Sequence, residues 1–289
     1  MQPLLIGTGI TTSADPGASP LDAALAAEAA GYDFVSASDH PVGTHPSYET
    51  LSLLTWIAAR TSRIGIATRV LGTPFRRPAM VAKAAESLQR LSGGRLILGL
   101  GGGYSDEEIH ALGAAVPTPK QKVDGLADAL EIMRRAWTSP IAITYHGAIH
   151  QVHGLALAPR PAQPIPLWLG TYGNRALEVT GRLADGWIPS LGFASPDRVP
   201  DMLDRIHSAA AAAGREPASI RAIYNLSINL NPAARGSEDA IGGSASDIVE
   251  QLHGLTELGF TGFNLIVPDD HARAVAEDIL PAVRAGCAA

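Results

Sequence analysis

One unit recurs along this sequence: an Ala- and Leu-rich stretch of helical character, a glycine, then a short apolar run ending in polar or glycyl residues. It occurs as Ala23 to Gly31 then Phe34 to Ser38, Ala82 to Gly94 then Leu96 to Gly99, Ala176 to Gly186 then Trp187 to Ser190, and Ile248 to Gly259 then Phe263 to Val267. Four further apolar runs, Leu4 to Ile6, Ile64 to Ala67, Leu167 to Leu169 and Ile220 to Leu230, bring the candidate strands to eight. Their apolar residues are continuous rather than alternating, which is the pattern of strands buried on both faces of a parallel sheet. Eight such units in 289 residues predict an α/β protein, a (β/α)8 TIM barrel forming one domain over residues 1–289, in preference to a doubly wound sheet. Ser19-Pro20-Leu21-Asp22 and Ser244-Ala245-Ser246-Asp247 each place an acid three positions after a capping residue, and mark helix starts.

The rhythm breaks once. Residues 138–166 hold Pro140, Pro159, Pro161, Pro164 and Pro166 around Ile141 to Gly147, which predicts a small hairpin and a proline-bearing return inserted between strands 4 and 5. Carried over the barrel mouth, this insertion would enclose a substrate, as would residues 104–118 and 190–197. A net charge of −6 without a Lys/Arg cluster that interleaves aromatic residues argues against nucleic acid as a partner. No apolar run has the length of a membrane span, and no basic region precedes Leu4-Leu5-Ile6, so a soluble, unexported, cytoplasmic protein is expected. The lone Cys287 excludes an internal disulfide framework.

The chemistry of such a barrel sits at the C-terminal ends of its strands. There Ser38-Asp39-His40 puts an acid beside an imidazole. A metal site needs three or more His, Cys or carboxylate ligands, and the other strand ends supply Gly, Thr, Ser and Asn, so no metal is expected. Gly99-Leu100-Gly101-Gly102-Gly103-Tyr104 follows the fourth strand, with a helix start at Ser105 to Glu108. Its spacing is GxGxG with Tyr104 in the last slot, which removes the support for a Rossmann dinucleotide site. It reads either as a glycine-rich barrel corner or as a backbone cradle for an anion. Gly170-Thr171-Tyr172-Gly173-Asn174-Arg175 repeats that theme after the fifth strand, and two such sites suggest a long ligand bearing a phosphate. Thr68 to Pro78, with Arg76, Arg77 and two prolines, reads as a loop with Pro78 opening a helix.

Four blocks together resemble the luciferase-like monooxygenase superfamily, in particular its branch of oxidoreductases that use the deazaflavin coenzyme F420. They are AEAAGYDFVSASDH, TRVLGTPFRRPAMVAKAAESLQRLSGGRLILGLGGGY with the EEIHALG that follows, PRPAQPIPLWLGTYGN, and GRLADGWIPS. The resemblance implies a barrel, a homodimer, a small-molecule substrate, and an isoalloxazine-like ring in the barrel mouth. It implies His40 as the catalytic acid/base and Asp39 as the residue that orients it and lies by the ring. It implies that the Arg69-Val70 peptide is cis and backs the ring, with Gly72 and Thr73 following. Gly101, Gly102, Gly103 and Tyr104, with Gly170, Thr171, Tyr172, Gly173 and Asn174, match the loops that hold the rest of the cofactor. The branch oxidising glucose 6-phosphate carries acids near the positions of Ser13 and Tyr104, which this chain lacks. FMN, in a flavin monooxygenase, is the alternative cofactor. The implied reaction is hydride transfer to or from C=O, C=N, C=C or an alcohol.

Overall fold

The computed structural model describes residues 2–234 and 240–286, so Cys287 lies outside the described residues. Eight parallel strands close into a ring: β1 (Leu5–Ile10), β2 (Phe34–Ala37), β3 (Gly65–Thr68), β4 (Leu96–Gly101), β5 (Leu167–Leu169), β6 (Gly186–Trp187), β7 (Arg221–Asn229) and β8 (Gly262–Ile266). Each pairs with its neighbour in chain order, and β8 returns to β1 with Leu5 opposite Gly262. Eight apolar runs therefore become eight barrel strands, as the sequence predicts. Among the described residues no helix is long and apolar enough to cross a membrane.

Helices surround the ring: α1 (Pro20–Ala30), α2 (Thr50–Arg60), α3 (Pro78–Leu91), α4 (Asp106–Ala111), α5 (Pro119–Thr138), α6 (Asn174–Leu183), α7 (Val199–Ala212) and α8 (Ala245–Glu257), with a further helical run, ending in Leu280–Gly286, after β8. Their starts are chemically specified. In α8 the Ser244 and Asp247 side chains satisfy each other's backbone amides, and Thr118 and Gln121 do the same for α5. At α1 the predicted start holds but the side-chain cap does not: Ser19 makes no cap hydrogen bond, and Pro20 at the first position, which has no amide to satisfy, opens the helix.

Apolar packing forms two layers. The larger lies between the strands and the helices. The smaller fills the ring itself, where Phe34, Ala67, Trp168, Ile188 and Ile223 meet, and Phe34 and Trp168 pack edge to face at 5.4 Å. Gly7 and Gly186 face those two rings, and a Cβ at either would lie within 2.5 Å of ring atoms. Large side chains opposite glycines plug the barrel's interior, and burying each aromatic contributes about 1.5–3 kcal/mol.

The insertion between β4 and β5 contains α4, α5 and an antiparallel hairpin, Ile143–His146 with Gln151–Leu155. Asp128, buried on α5, fastens the hairpin by accepting from Tyr145 Oη (2.9 Å) and the amides of Ile149 (2.7 Å) and His150 (3.0 Å). This clasp draws the hairpin onto α5. Its Ile149 and His150 line a side cavity of about 500 Å³ with Arg77, Leu112 and Val116, and no residue of 138–166 lines the barrel mouth, which corrects that part of the predicted enclosure.

Candidate active site

A cavity of about 540 Å³ opens at the C-terminal ends of the strands. Of the residues singled out from sequence, Asp39, His40, Arg69, Val70, Gly72, Gly101, Gly102, Gly103, Tyr104, Gly170 and Tyr172 line it. Thr73, Thr171, Gly173 and Asn174 do not. Thr73 is buried with its hydroxyl on the Gly101 carbonyl (3.0 Å), and Thr171 is buried with its hydroxyl against that of Thr180. Gly173 and Asn174 are exposed and form the start of α6, where Gly173 provides no side-chain cap.

Asp39 and His40 are neighbours with separate environments. The Asp39 carboxylate, wholly inaccessible, accepts from the Gly72 amide (2.8 Å), the Thr50 hydroxyl (2.9 Å) and both terminal nitrogens of Arg76 (2.6 and 2.8 Å). Arg76 also reaches Glu49, the cap of α2, at 3.1 Å. A two-pronged guanidinium–carboxylate pair is the strongest arrangement these groups make. It ties the ends of β2, β3 and α2 together and leaves Asp39 no contact with His40. The expectation that Asp39 orients His40 is thereby corrected, because its oxygens are taken by Gly72, Thr50 and Arg76 while His40 Nδ1 is taken by Glu108.

His40 is instead held by Glu108, with Nδ1 to Oε1 at 2.9 Å. The imidazole is about half exposed (54%) and Glu108 much less so (19%). Glu108 is placed by α4, whose cap Ser105 accepts from the Glu108 amide (3.1 Å). Sequence reading missed this pairing across 68 residues. The available signal was the cap itself, which fixes an acid one turn beyond the glycine loop.

Beyond β3 the chain bulges at Arg69-Val70, whose peptide is cis, and resumes pairing with β4 at Leu71–Gly72. Val70 explains the glycines. A Cβ on Gly101 would lie 2.8 Å from the Val70 side chain, and one on Gly170 3.2 Å. Both are glycine because the bulge occupies that space, and the corner reading of the motif accounts for them. Gly103, at φ +84°, turns the chain into α4. Opposite stand three aromatic rings: Phe193 lies 5.9 Å from Tyr104 and 5.1 Å from Tyr172. Ser190 and Phe193 come from the 190–197 loop expected to enclose a substrate, whereas Phe75 and Ile188 also line the cavity and were not singled out as site residues.

Arg175, considered as an anion-binding cation, is engaged by Asp124, which also takes Lys120 at 2.7 Å. Among the described residues no group of three His, Cys, Asp or Glu is placed to hold a metal ion.

A closed parallel barrel with an imidazole–carboxylate pair at its C-terminal mouth defines the class, a TIM-barrel protein with ionisable side chains there. Residues 4–240 match the luciferase-like monooxygenase family, and the chain belongs to it. It is 31% identical over 238 residues to an F420-dependent glucose-6-phosphate dehydrogenase of Nakamurella multipartita, covering 80% of this chain and 70% of that one. A protein of the same name from Intrasporangium calvum is 28% identical over 317 residues, covering 91% and 94%. In fold the chain matches an F420-dependent secondary alcohol dehydrogenase in complex with an F420-acetone adduct, with a TM-score of 0.87, 19% identity and 98% and 99% coverage.

Proposed function

We propose that this chain is a coenzyme F420-dependent oxidoreductase, passing a hydride between the deazaflavin and a small organic substrate. The observation that carries this reading is the His40–Glu108 pair on the wall of the cavity, facing a bulge backed by glycines. The residues present suit a flat tricyclic ring. Val70 and Ile188 offer an apolar platform, and Tyr104, Tyr172 and Phe193 supply aromatic faces. For the cofactor's phosphate, the Asn174 and Arg175 amides that open α6 have no side-chain cap, while the Ala176 amide is taken by the Gly173 carbonyl (2.9 Å). The names of the relatives support the same cofactor.

When bound, the deazaflavin supplies a carbon centre that gives or takes a hydride. The chain's own residues do the remaining work. Glu108 holds Nδ1 of His40, which fixes the tautomer and leaves Nε2 to exchange a proton with the substrate oxygen or nitrogen. In the reducing direction the imidazolium donates; in the oxidising direction the neutral ring accepts. Asp39 and Arg76 hold the bulge and Gly72 in place, so Asp39 is a positioning residue, with Thr73 pinning the same turn to Gly101.

A homodimer belongs to the same proposal. Met80, Ala84, Ser87 and Leu91 form an outward stripe on α3 beside Trp56 of the adjacent α2, and Trp56, Met80 and Leu91 are large, exposed and apolar. Titration of the purified protein with F420 and, separately, with FMN, followed by quenching of cofactor fluorescence, tests the central claim. F420 is expected to bind saturably and more tightly; FMN binding as tightly or more so overturns the assignment.

A further inference from the structure

Arg69 differs from the other anchored arginines of this protein. Arg76 has Asp39, Arg134 and Arg215 have Asp185, Arg175 has Asp124, and Arg284 has Asp33, while Arg95 and Arg221, without an acid, donate to backbone carbonyls. Among the described residues the Arg69 side chain reaches only the Ser36 hydroxyl, through Nε at 3.1 Å. It is the only Lys or Arg among the described residues that line the central cavity. Deep burial lowers its pKa to about 10, partly offset by Tyr172, so it is cationic at neutral pH.

The groups beneath it are neutral and already engaged. Ser36 donates to Asn264 (2.8 Å), Asn264 to Asn225 (2.7 Å), and Asn225 to the Ser190 hydroxyl (2.9 Å), while the Ser190 amide donates to Tyr172 Oη (3.2 Å). The direction of this chain matters. Ser190 Oγ and Tyr172 Oη both act as acceptors within it, so each keeps its own proton to donate, and both residues line the cavity with Arg69. The mouth thus holds a guanidinium and two hydroxyl donors, and the Glu108 carboxylate that also lines it is engaged by His40. A buried charge without a partner is costly, and a ligand anion supplies that partner.

We propose that the substrate carries a carboxylate, held by the Arg69 guanidinium with the hydroxyls of Ser190 and Tyr172, while its reacting carbon faces His40. One guanidinium balances one negative charge, and the planar fork matches a carboxylate. A phosphate dianion would leave a surplus negative charge in a cavity that Glu108 also lines. This deepens the proposed function and rests on it for the reacting centre only.

The test is calorimetric, using the F420-loaded full chain and matched probes: lactate against propane-1,2-diol, and pyruvate against hydroxyacetone. In the unaltered protein the carboxylate of each pair is expected to bind at least about tenfold tighter. Arg69→Gln should reduce that ratio below about twofold, Arg69→Lys should keep part of it, and Ser190→Ala should lower it about two- to fivefold. Equal affinity within the pairs, including no measurable carboxylate binding up to roughly 10 mM, overturns the proposal. So does a ratio that survives Arg69→Gln, or methyl phosphate binding more tightly than either carboxylate. Loss of F420 quenching in Arg69→Gln with the ratio unchanged also overturns it, and moves the guanidinium to the cofactor. Repeating the titrations without F420 separates the two claims, because the anion preference is read there even where the cofactor assignment fails.

Discussion

The two ends of the barrel treat their charged side chains in opposite ways. Where the chain enters the strands, Glu28, Asp33, Asp185 and Arg95 are each closed off. Glu28 takes the amides of Ser62, Arg63 and Ile64, Asp33 takes the Ile6 amide and Arg284, and Asp185 takes the Leu167 amide and Arg134. Arg95 donates to the carbonyls of Ala58, Thr61, Ile64 and Ser92. Where the chain leaves the strands, His40 is half exposed, Arg69 has one hydroxyl partner, and Tyr104 and Phe193 lie open. Groups satisfied within the protein serve the fold; groups left with capacity serve a ligand. Asp39 is the exception that sharpens this contrast, a charge at the open end that is closed off like those of the other.

The largest effect is therefore expected from Asp39→Ala, and as lost stability. It leaves Arg76, the Gly72 amide and Thr50 without their common acceptor, and breaking a buried pair costs about 3–5 kcal/mol. Urea denaturation should show that loss; a stable variant with only turnover reduced would make Asp39 a participant in the chemistry. His40→Ala should behave conversely. Turnover should fall by a hundredfold or more, with stability within about 0.5 kcal/mol and F420 affinity little changed. An unaltered kcat would remove His40 from the mechanism and with it the reading of the open end.

The fold was legible because burial leaves its mark on composition. Strands covered on both faces must be apolar throughout, and Phe34-Val35 or Leu167-Trp168-Leu169 can hardly be read otherwise. The hairpin was legible from its prolines, yet not its seat, since the deciding contact is one buried carboxylate on α5. The site was half legible. His40 and the glycine loops stand at strand ends, which sequence locates, whereas Glu108 and Arg76 become partners only when the ring closes. Arg69 was noticed for its peptide bond, and its side chain carries the sharper message. Nothing local in a sequence says which arginine will lack an acid.

Arg95→Met tests the closed end by a smaller step. It keeps the apolar bulk of the side chain but leaves four carbonyls without their shared donor, and a loss of about 2 kcal/mol is expected. Activity per folded molecule should not change, since no contact of Arg95 reaches the cavity. A variant of full stability whose kcat fell would show that the two ends are coupled.

Glu28→Gln should give the smallest effect, and one tied to pH. Burial raises the pKa of this carboxyl, but the amides of Ile64, Arg63 and Ser62, with the Ser62 hydroxyl, outweigh that and bring it down to about 2 from an ordinary 4.5. A group whose folded pKa lies below its unfolded one binds fewer protons in the folded state. Its contribution is complete above about pH 4.5 and is lost as the pH falls towards about 2. Because the side chain is part-exposed, solvent screening keeps the contribution to about 1 kcal/mol. Unaltered protein and variant should thus differ at pH 7 and converge only as the pH falls to about 2. A difference that persists at pH 2 would mean that Glu28 acts through shape rather than charge, and that the closed end owes less to its ion–amide contacts than to its packing.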